Sequence, residues 1–195
     1  MRRFIDRARL TDGRVASGRA IVALGAALLS PVLASSPAFA DCVPNSATAV
    51  SGQTVNCTGT APTGFRAGAG VDKLIVNVQP RATVQDNGTF AIQLNNGNTV
   101  TNNGAVTGGN LVTGIGAGDG NTITNNTSIV VGDGGAGIFV QNLNTVVNGG
   151  SITGGDGAAG IFAGTGNNVS NGGPSRLPRP RRALDLESSL ATPTR

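Results

Sequence analysis

The sequence has no tryptophan, tyrosine or histidine, and phenylalanine is its only aromatic residue, six times in 195 positions. That composition disfavours a conventional globular core, which leans on large aromatic side chains. The missing histidines also leave the two cysteines, Cys42 and Cys57, without the partners that a zinc site needs. Cations are scarce in the middle of the chain. Residues 41–173 hold only Arg66, Lys73 and Arg81 against six aspartates, a net charge of −3. The overall charge of +4 arises at the ends: six Arg against two Asp in residues 1–40, and five Arg against Asp185 and Glu187 in residues 174–195. A module with three cations and no tyrosine or tryptophan platforms is not built to hold nucleic acid.

What the chain has in abundance is glycine, 31 residues of it, together with asparagine and β-branched residues in a fixed order. Ile92, Ile115, Ile138 and Ile161 recur every 23 residues, and so do Asn98, Asn121, Asn144 and Asn167. The series Asn102, Asn125, Asn148, Asn171 and Val100, Ile123, Val146, Val169 keep the same interval without a gap. A period in this range marks a solenoid, whose units bury their apolar faces only against their neighbours. Within each unit three short segments read as strands. Asn121-Thr122-Ile123-Thr124-Asn125 alternates polar and apolar residues, Ser128-Ile129-Val130 follows, and Gly137-Ile138-Phe139 comes third. Glycine- and asparagine-rich corners separate them and supply the positive-φ residues that tight turns require. The sequence therefore predicts an all-β fold: a single-stranded parallel β-helix, or solenoid, of about five rungs with 23-residue repeats. Asn98 and Asn102 share the parity of Val100, so both are expected to point inward and to stack into hydrogen-bonded amide ladders.

The flanks divide the chain further. Residues 1–20 are arginine-rich, Ile21–Ala34 is apolar, and Ala38-Phe39-Ala40 is a small-x-small site. These are the three regions of a secretory signal, with cleavage expected between Ala40 and Asp41 by way of the general Sec machinery. An uncleaved anchor over Ala20–Ala40 is the competing reading, weakened by Ser30-Pro31 and Ser35-Ser36-Pro37. Export to an oxidising compartment makes a Cys42–Cys57 disulfide the expected state of the two cysteines. The domains expected are thus a signal peptide (1–40), a disulfide-containing N-terminal cap (41–70), the β-helix repeats (71–173) and a disordered or out-of-register tail (174–195). Val78 and Val84 lie 22 residues before Val100 and Val106, which suggests one shorter early coil. The tail begins where Pro174-Ser175-Arg176 replaces the Ser-Ile-Thr of the repeat. A basic tail for an anionic partner is one account of it; a shifted reading frame is the other, and the preferred one.

Taken in order, the arginine-rich signal, the opening Cys42…Thr54-Val55-Asn56-Cys57-Thr58-Gly59 and the Gly-Asn-Thr-Ile-Thr-Asn repeats resemble the passenger region of a bacterial autotransporter. The resemblance covers residues 1–173. It implies a Gram-negative protein exported to the periplasm, cell surface or medium, a stalk or adhesin whose partners would be host or surface glycans or proteins. It also implies a C-terminal outer-membrane β-barrel. Here the chain departs from the pattern, because no series of amphipathic barrel strands is present in it, and a truncated passenger is the reading that follows.

Candidate chemistry is thin. Asp133 and Asp156 occupy one repeat position, with Asn110 before them and Asp119 in a nearby corner, and stacked carboxylates suit calcium. The period of 23 does not match the nine-residue calcium-binding repeat, so solvated corner aspartates are the preferred reading. The outward pairs Thr99/Thr101 and Thr122/Thr124 resemble a flat ice-binding face, but Thr145/Val147 and Asn168/Ser170 break the series. The glycosylation-type triplets Asn87-Gly88-Thr89 and Asn125-Asn126-Thr127 follow from abundance of Asn and Thr. A carbohydrate-active β-helix enzyme is the alternative function, requiring paired carboxylates or cations at a groove. No catalytic residue, cofactor or metal is assigned.

Overall fold

Strand-forming residues alternate with glycine corners from Thr54 onward, and a computed structural model shows what that alternation builds. The structure describes residues 41–177. The predicted signal segment, its cleavage junction on the Ala40 side and the tail beyond 177 lie outside the described residues.

A short strand β1 (Cys42–Val43) precedes the first rung, which comprises β2 (Thr54–Cys57), β3 (Thr60–Ala61) and β4 (Phe65–Arg66). The second rung is β5 (Ile75–Val78), β6 (Thr83–Asp86) and β7 (Phe90–Leu94), and the third is β8 (Thr99–Asn102), β9 (Ala105–Gly108) and β10 (Thr113–Ala117). The fourth is β11 (Thr122–Asn125), β12 (Ser128–Val131) and β13 (Ala136–Val140); the fifth is β14 (Thr145–Asn148), β15 (Ser151–Gly154) and β16 (Ala159–Ala163). Two further strands, β17 (Asn168–Asn171) and β18 (Ser175–Arg176), begin a sixth turn. Each rung gives one strand to each of three sheets, ordered β1-β2-β5-β8-β11-β14-β17, β3-β6-β9-β12-β15-β18 and β4-β7-β10-β13-β16. Every pairing between rungs is parallel, and only β1 runs antiparallel to β2. This is the parallel β-solenoid that the repeat predicts, with no helix among the described residues.

From the third rung onward the register follows the sequence period. Val100 pairs with Ile123 and Ile123 with Val146, while Ile115 pairs with Ile138 and Ile138 with Ile161. The first two rungs are less regular. Val84 faces Val106 as expected, but Val76, not Val78, faces Val100, and Val78 faces Asn102. The reason is the corner. Four residues, Gln79-Pro80-Arg81-Ala82, separate β5 from β6, where Asn103-Gly104 suffices between β8 and β9. Proline and the left-handed Arg81 (φ 69°) hold this wider turn.

The segment 41–70, expected as a cap, contains both a cap and an irregular first rung. Parallel pairing begins at Thr54, opposite Ile75. The cap itself is the stretch before it. Cys42 and Cys57 are directly opposed across β1 and β2 and joined by a disulfide. Ala49 is buried there, and the Ser46 hydroxyl accepts a hydrogen bond from the Arg66 N–H at 2.8 Å, tying the cap to β4. At the other end the tail does not leave register at once. Ser175 and Arg176 pair with Ile152 and Thr153, and the Ile152 N–H donates to the Pro174 carbonyl. Backbone pairing continues there because it asks nothing of side chains, whereas the column of inward isoleucines stops at Ile152.

The interior is narrow and apolar. Val55, Phe65, Leu74, Ile92, Ile115, Ile123, Ile129, Ile138 and Ile152 are fully buried. Each such side chain contributes about 1.5–3 kcal/mol. Six asparagines share this interior: Asn98, Asn121 and Asn144 at one end of the first-sheet strand, and Asn102, Asn125 and Asn148 at the other. Among the described residues no buried side-chain polar atom lacks a partner. One corner column shows how the coil turns. Gly52, Lys73, Gly97, Gly120, Leu143 and Gly166 all have positive φ, between 58° and 82°. In this conformation the N–H turns along the solenoid axis, so that Gly97 donates to Asp119, Gly120 to Asn142 and Leu143 to Thr165, each at 3.0 Å. Leu143 accepts a backbone conformation unfavourable for a branched side chain, and its exposed side chain lies over Gly166, where a Cβ would meet it at 2.9 Å.

Candidate functional site

Two kinds of polar column run along the solenoid, and both are occupied with its own backbone. In the interior, the Asn98 amide donates to Asn121 Oδ1 (2.9 Å), Asn121 to Asn144 (3.0 Å) and Asn144 to Asn167 (3.0 Å). The same oxygens accept the backbone N–H of the preceding rung; Asn98 N–H reaches Asn121 Oδ1 at 2.8 Å. The second column links Asn102, Asn125, Asn148 and Asn171 at 2.7 Å per step. These are the stacked amides expected from strand parity. Asn125 is therefore sealed inside and unavailable to glycosylation, while Asn87 is exposed.

The corner aspartates form the second kind of column, running in the opposite sense. Asn110 Oδ1 accepts the Asp133 N–H (3.0 Å), and Asp133 Oδ1 accepts the Asp156 N–H (2.8 Å). At the next corner Asn96 Oδ1 accepts from Asp119 N–H and Asp119 Oδ1 from Asn142 N–H, both at 2.9 Å. A short polar side chain on one rung thus caps a backbone donor on the next. This geometry explains why Asp and Asn alternate freely at these positions: an oxygen is required, a charge is not. No group of three or more potential metal ligands is present among the described residues.

The three cations are not gathered. Arg66 pairs with Asp86, whereas Lys73 and Arg81 sit exposed on separate corners. Burial pushes the Asp86 carboxyl up, but the Gly88 N–H and the Arg66 guanidinium together outweigh it and hold its pKa below the ordinary value of 3.8. The threonine face is confirmed as a register and limited as an array. Thr99 and Thr101 stack on Thr122 and Thr124, and these on Thr145 and Val147, then on Asn168 and Ser170.

The third sheet carries the feature that the sequence reading missed. Its outward column reads Arg66, Gln93, Gly116, Phe139, Phe162 in register. Phe139 and Phe162 stack with ring centroids 5.4 Å apart and planes 5° from parallel. At Gly116 the column has no side chain, and Phe90 from the neighbouring rung leans across it. A Cβ at 116 would stand 2.4 Å from the Phe90 ring. Beside that ring is a shallow cleft of about 250 Å³ bordered by Phe90, Phe139, Gly116, Gln93, Asn95, Asn96 and Gln141. A second depression of about 280 Å³ lies on the other side of Phe139, between it, Phe162 and Thr113. Neither is lined by a charged side chain. The signal available in the sequence was Phe139 and Phe162, one period apart and next to the inward Ile138 and Ile161.

No protein-family model, curated protein or solved structure matches the chain.

Proposed function

We propose that the chain is the β-helical passenger segment of an exported, autotransporter-type surface protein, acting without catalysis as a stalk or adhesin. The observation that carries this reading is where the polar side chains spend their hydrogen bonds. Asn98, Asn102, Asn121, Asn125, Asn144 and Asn148 bond along the axis, and the corner oxygens of Asn96, Asn110, Asp119 and Asp133 do the same. A glycosidase or lyase needs carboxylates or cations aimed at a substrate. In this chain those corner groups are aimed at the next rung. Stacking of like units makes a rod whose length grows with rung number, which suits a spacer that holds a binding surface away from a membrane. Its partners would be glycans or proteins of a host or neighbouring surface, and its route out of the cytoplasm the Sec machinery.

Expression in a Gram-negative host with fractionation tests the export half of the reading. Mass spectrometry of the exported protein is expected to show Asp41 as the first residue and an intact Cys42–Cys57 bridge. Incubation with pectin, alginate and host glycans tests the other half. Unsaturated products or new reducing ends would establish an enzyme and overturn the stalk or adhesin role.

A further inference from the structure

The cleft over Gly116 brings side-chain amides with unused hydrogen-bonding capacity next to aromatic rings. Among the described residues the side chains of Gln93 and Gln141 make no hydrogen bond, and Asn96 uses only its oxygen, for the Asp119 N–H. Asn95, at the same cleft, is by contrast tied to the Gly68 and Val71 carbonyls, and the interior amides of Asn98, Asn102 and Asn125 are consumed in ladders. Two phenylalanine rings border the same cleft, on a sheet face where alternation would otherwise place small or polar residues. Rings beside free amides, in a shallow depression without charge, describe a surface for a ligand with an apolar C–H face and a rim of hydroxyls.

We infer that this cleft is a subsite for a neutral pyranose residue of a surface glycan, with Phe139 and Phe90 against the sugar ring and Gln93, Gln141 and Asn96 on its hydroxyls. The inference rests on the adhesin reading above and gives it a site and a ligand class. The absence of charge in the lining selects neutral glycans over uronate polymers, phosphates and acidic peptides, all of which need cations; Arg66, opposite Gln93 one rung back, is paired with Asp86, and Lys73 and Arg81 stand on other corners. The glycan chain runs across Phe139, because that ring borders both depressions and so offers two adjoining subsites. The Gly116 position is what opens the first of them. A phenylalanine there, as at 139 and 162, would fill the space that Phe90 occupies.

The test is amide-resolved NMR titration of the full chain with four neutral hexasaccharides (cello-, xylo-, manno- and chitohexaose) and with hexagalacturonate as the charged control. At least one neutral probe is expected to shift the side-chain amides of Gln93 and Gln141, with affinity in the millimolar range, and hexagalacturonate to shift neither. Phe139→Ala is expected to weaken binding tenfold or more. Gln141→Ala, whose side chain holds nothing in the fold, is expected to weaken it several-fold with an unchanged melting temperature. Silence with all four neutral probes, equal binding of hexagalacturonate, or shifts confined to another face would each overturn the assignment. Adherence of the protein to cell surfaces is read separately. Adherence that survives Phe139→Ala removes the subsite and leaves the adhesin role, whereas sugar binding without adherence does the reverse.

Discussion

The first rung and the last turn are made of the same kind of strand, yet their inward residues meet opposite fates. Val55 and Phe65 in the first rung are fully buried, although that rung is the less regular of the two. Val169, in perfect register with Val146, is 41% exposed, and all four residues of β17 are exposed. Ile161 is only partly buried, while Ile138 one rung earlier in the same inward column is sealed. Repeat quality therefore does not decide burial. Covering does. At the N-terminal end β1, the disulfide and the buried Ala49 close the core and occupy the strand edge that would otherwise face water. The stability of a solenoid lies in contacts between neighbouring rungs, so among the described residues the exposed strand β17 is expected to open first.

The strongest way to break this asymmetry is to remove the clamp. Reduction, or the double change Cys42→Ala with Cys57→Ala, is expected to cost about 2–5 kcal/mol and to make the N-terminal rungs open as readily as the C-terminal ones. Thermal melts with and without reductant read the loss. An unchanged midpoint would mean that the antiparallel strand alone closes the end. A matched pair in one column sharpens the contrast next. Ile138→Ala, in the sealed interior, is expected to cost about 3 kcal/mol, and Ile161→Ala, in the partly covered fifth rung, less than half of that by urea titration. Equal costs would show that the two ends are packed alike.

The ladders allow a gentler comparison. Asn125→Ala removes both the acceptor of Asn102 and the donor to Asn148, and each buried group left unpaired costs about 1–3 kcal/mol. Asn171→Ala, on an exposed strand, takes the acceptor from one buried amide, Asn148, and is expected to cost less than Asn125→Ala. The smallest effect is that of acid on the pair joining the first two rungs. The Asp86 pKa is depressed in the folded state, so its contribution is fully present above the ordinary carboxylate value of 3.8 and is lost as pH falls through the lower folded value. Arg66 is 39% exposed, which screens the pair and keeps the effect slight. Unfolding midpoints at neutral and acid pH should differ a little less in Asp86→Asn than in the unaltered chain.

How much of this was legible in the sequence depended on what each feature needs. The gapless period from Ile92 to Ile161 required only stacking, and the strands, sheets and register of rungs three to five follow from it. The amide ladders required only parity with Val100. The wide corner at Pro80-Arg81 was not legible, because a turn can absorb extra residues without disturbing the alternation on either side. Leu111 and Leu143 were not legible either. They adopt the left-handed conformation at places where neighbouring rungs use glycine, and neighbouring turns impose it on them. The cleft was hidden for a third reason. Phe90 and Phe139 occupy different repeat positions, Phe90 being opposite Thr113, and only the missing side chain at Gly116 lets the first ring lean towards the second.

Hydrogen exchange along the chain tests the central claim, that covering and not repeat quality sets local stability. Protection is expected to be greatest from Leu74 to Ile129, to remain high at Val55, and to fall through β14 and β16 to its lowest value in β17. Uniformly strong protection from Val55 through Asn171 would contradict it.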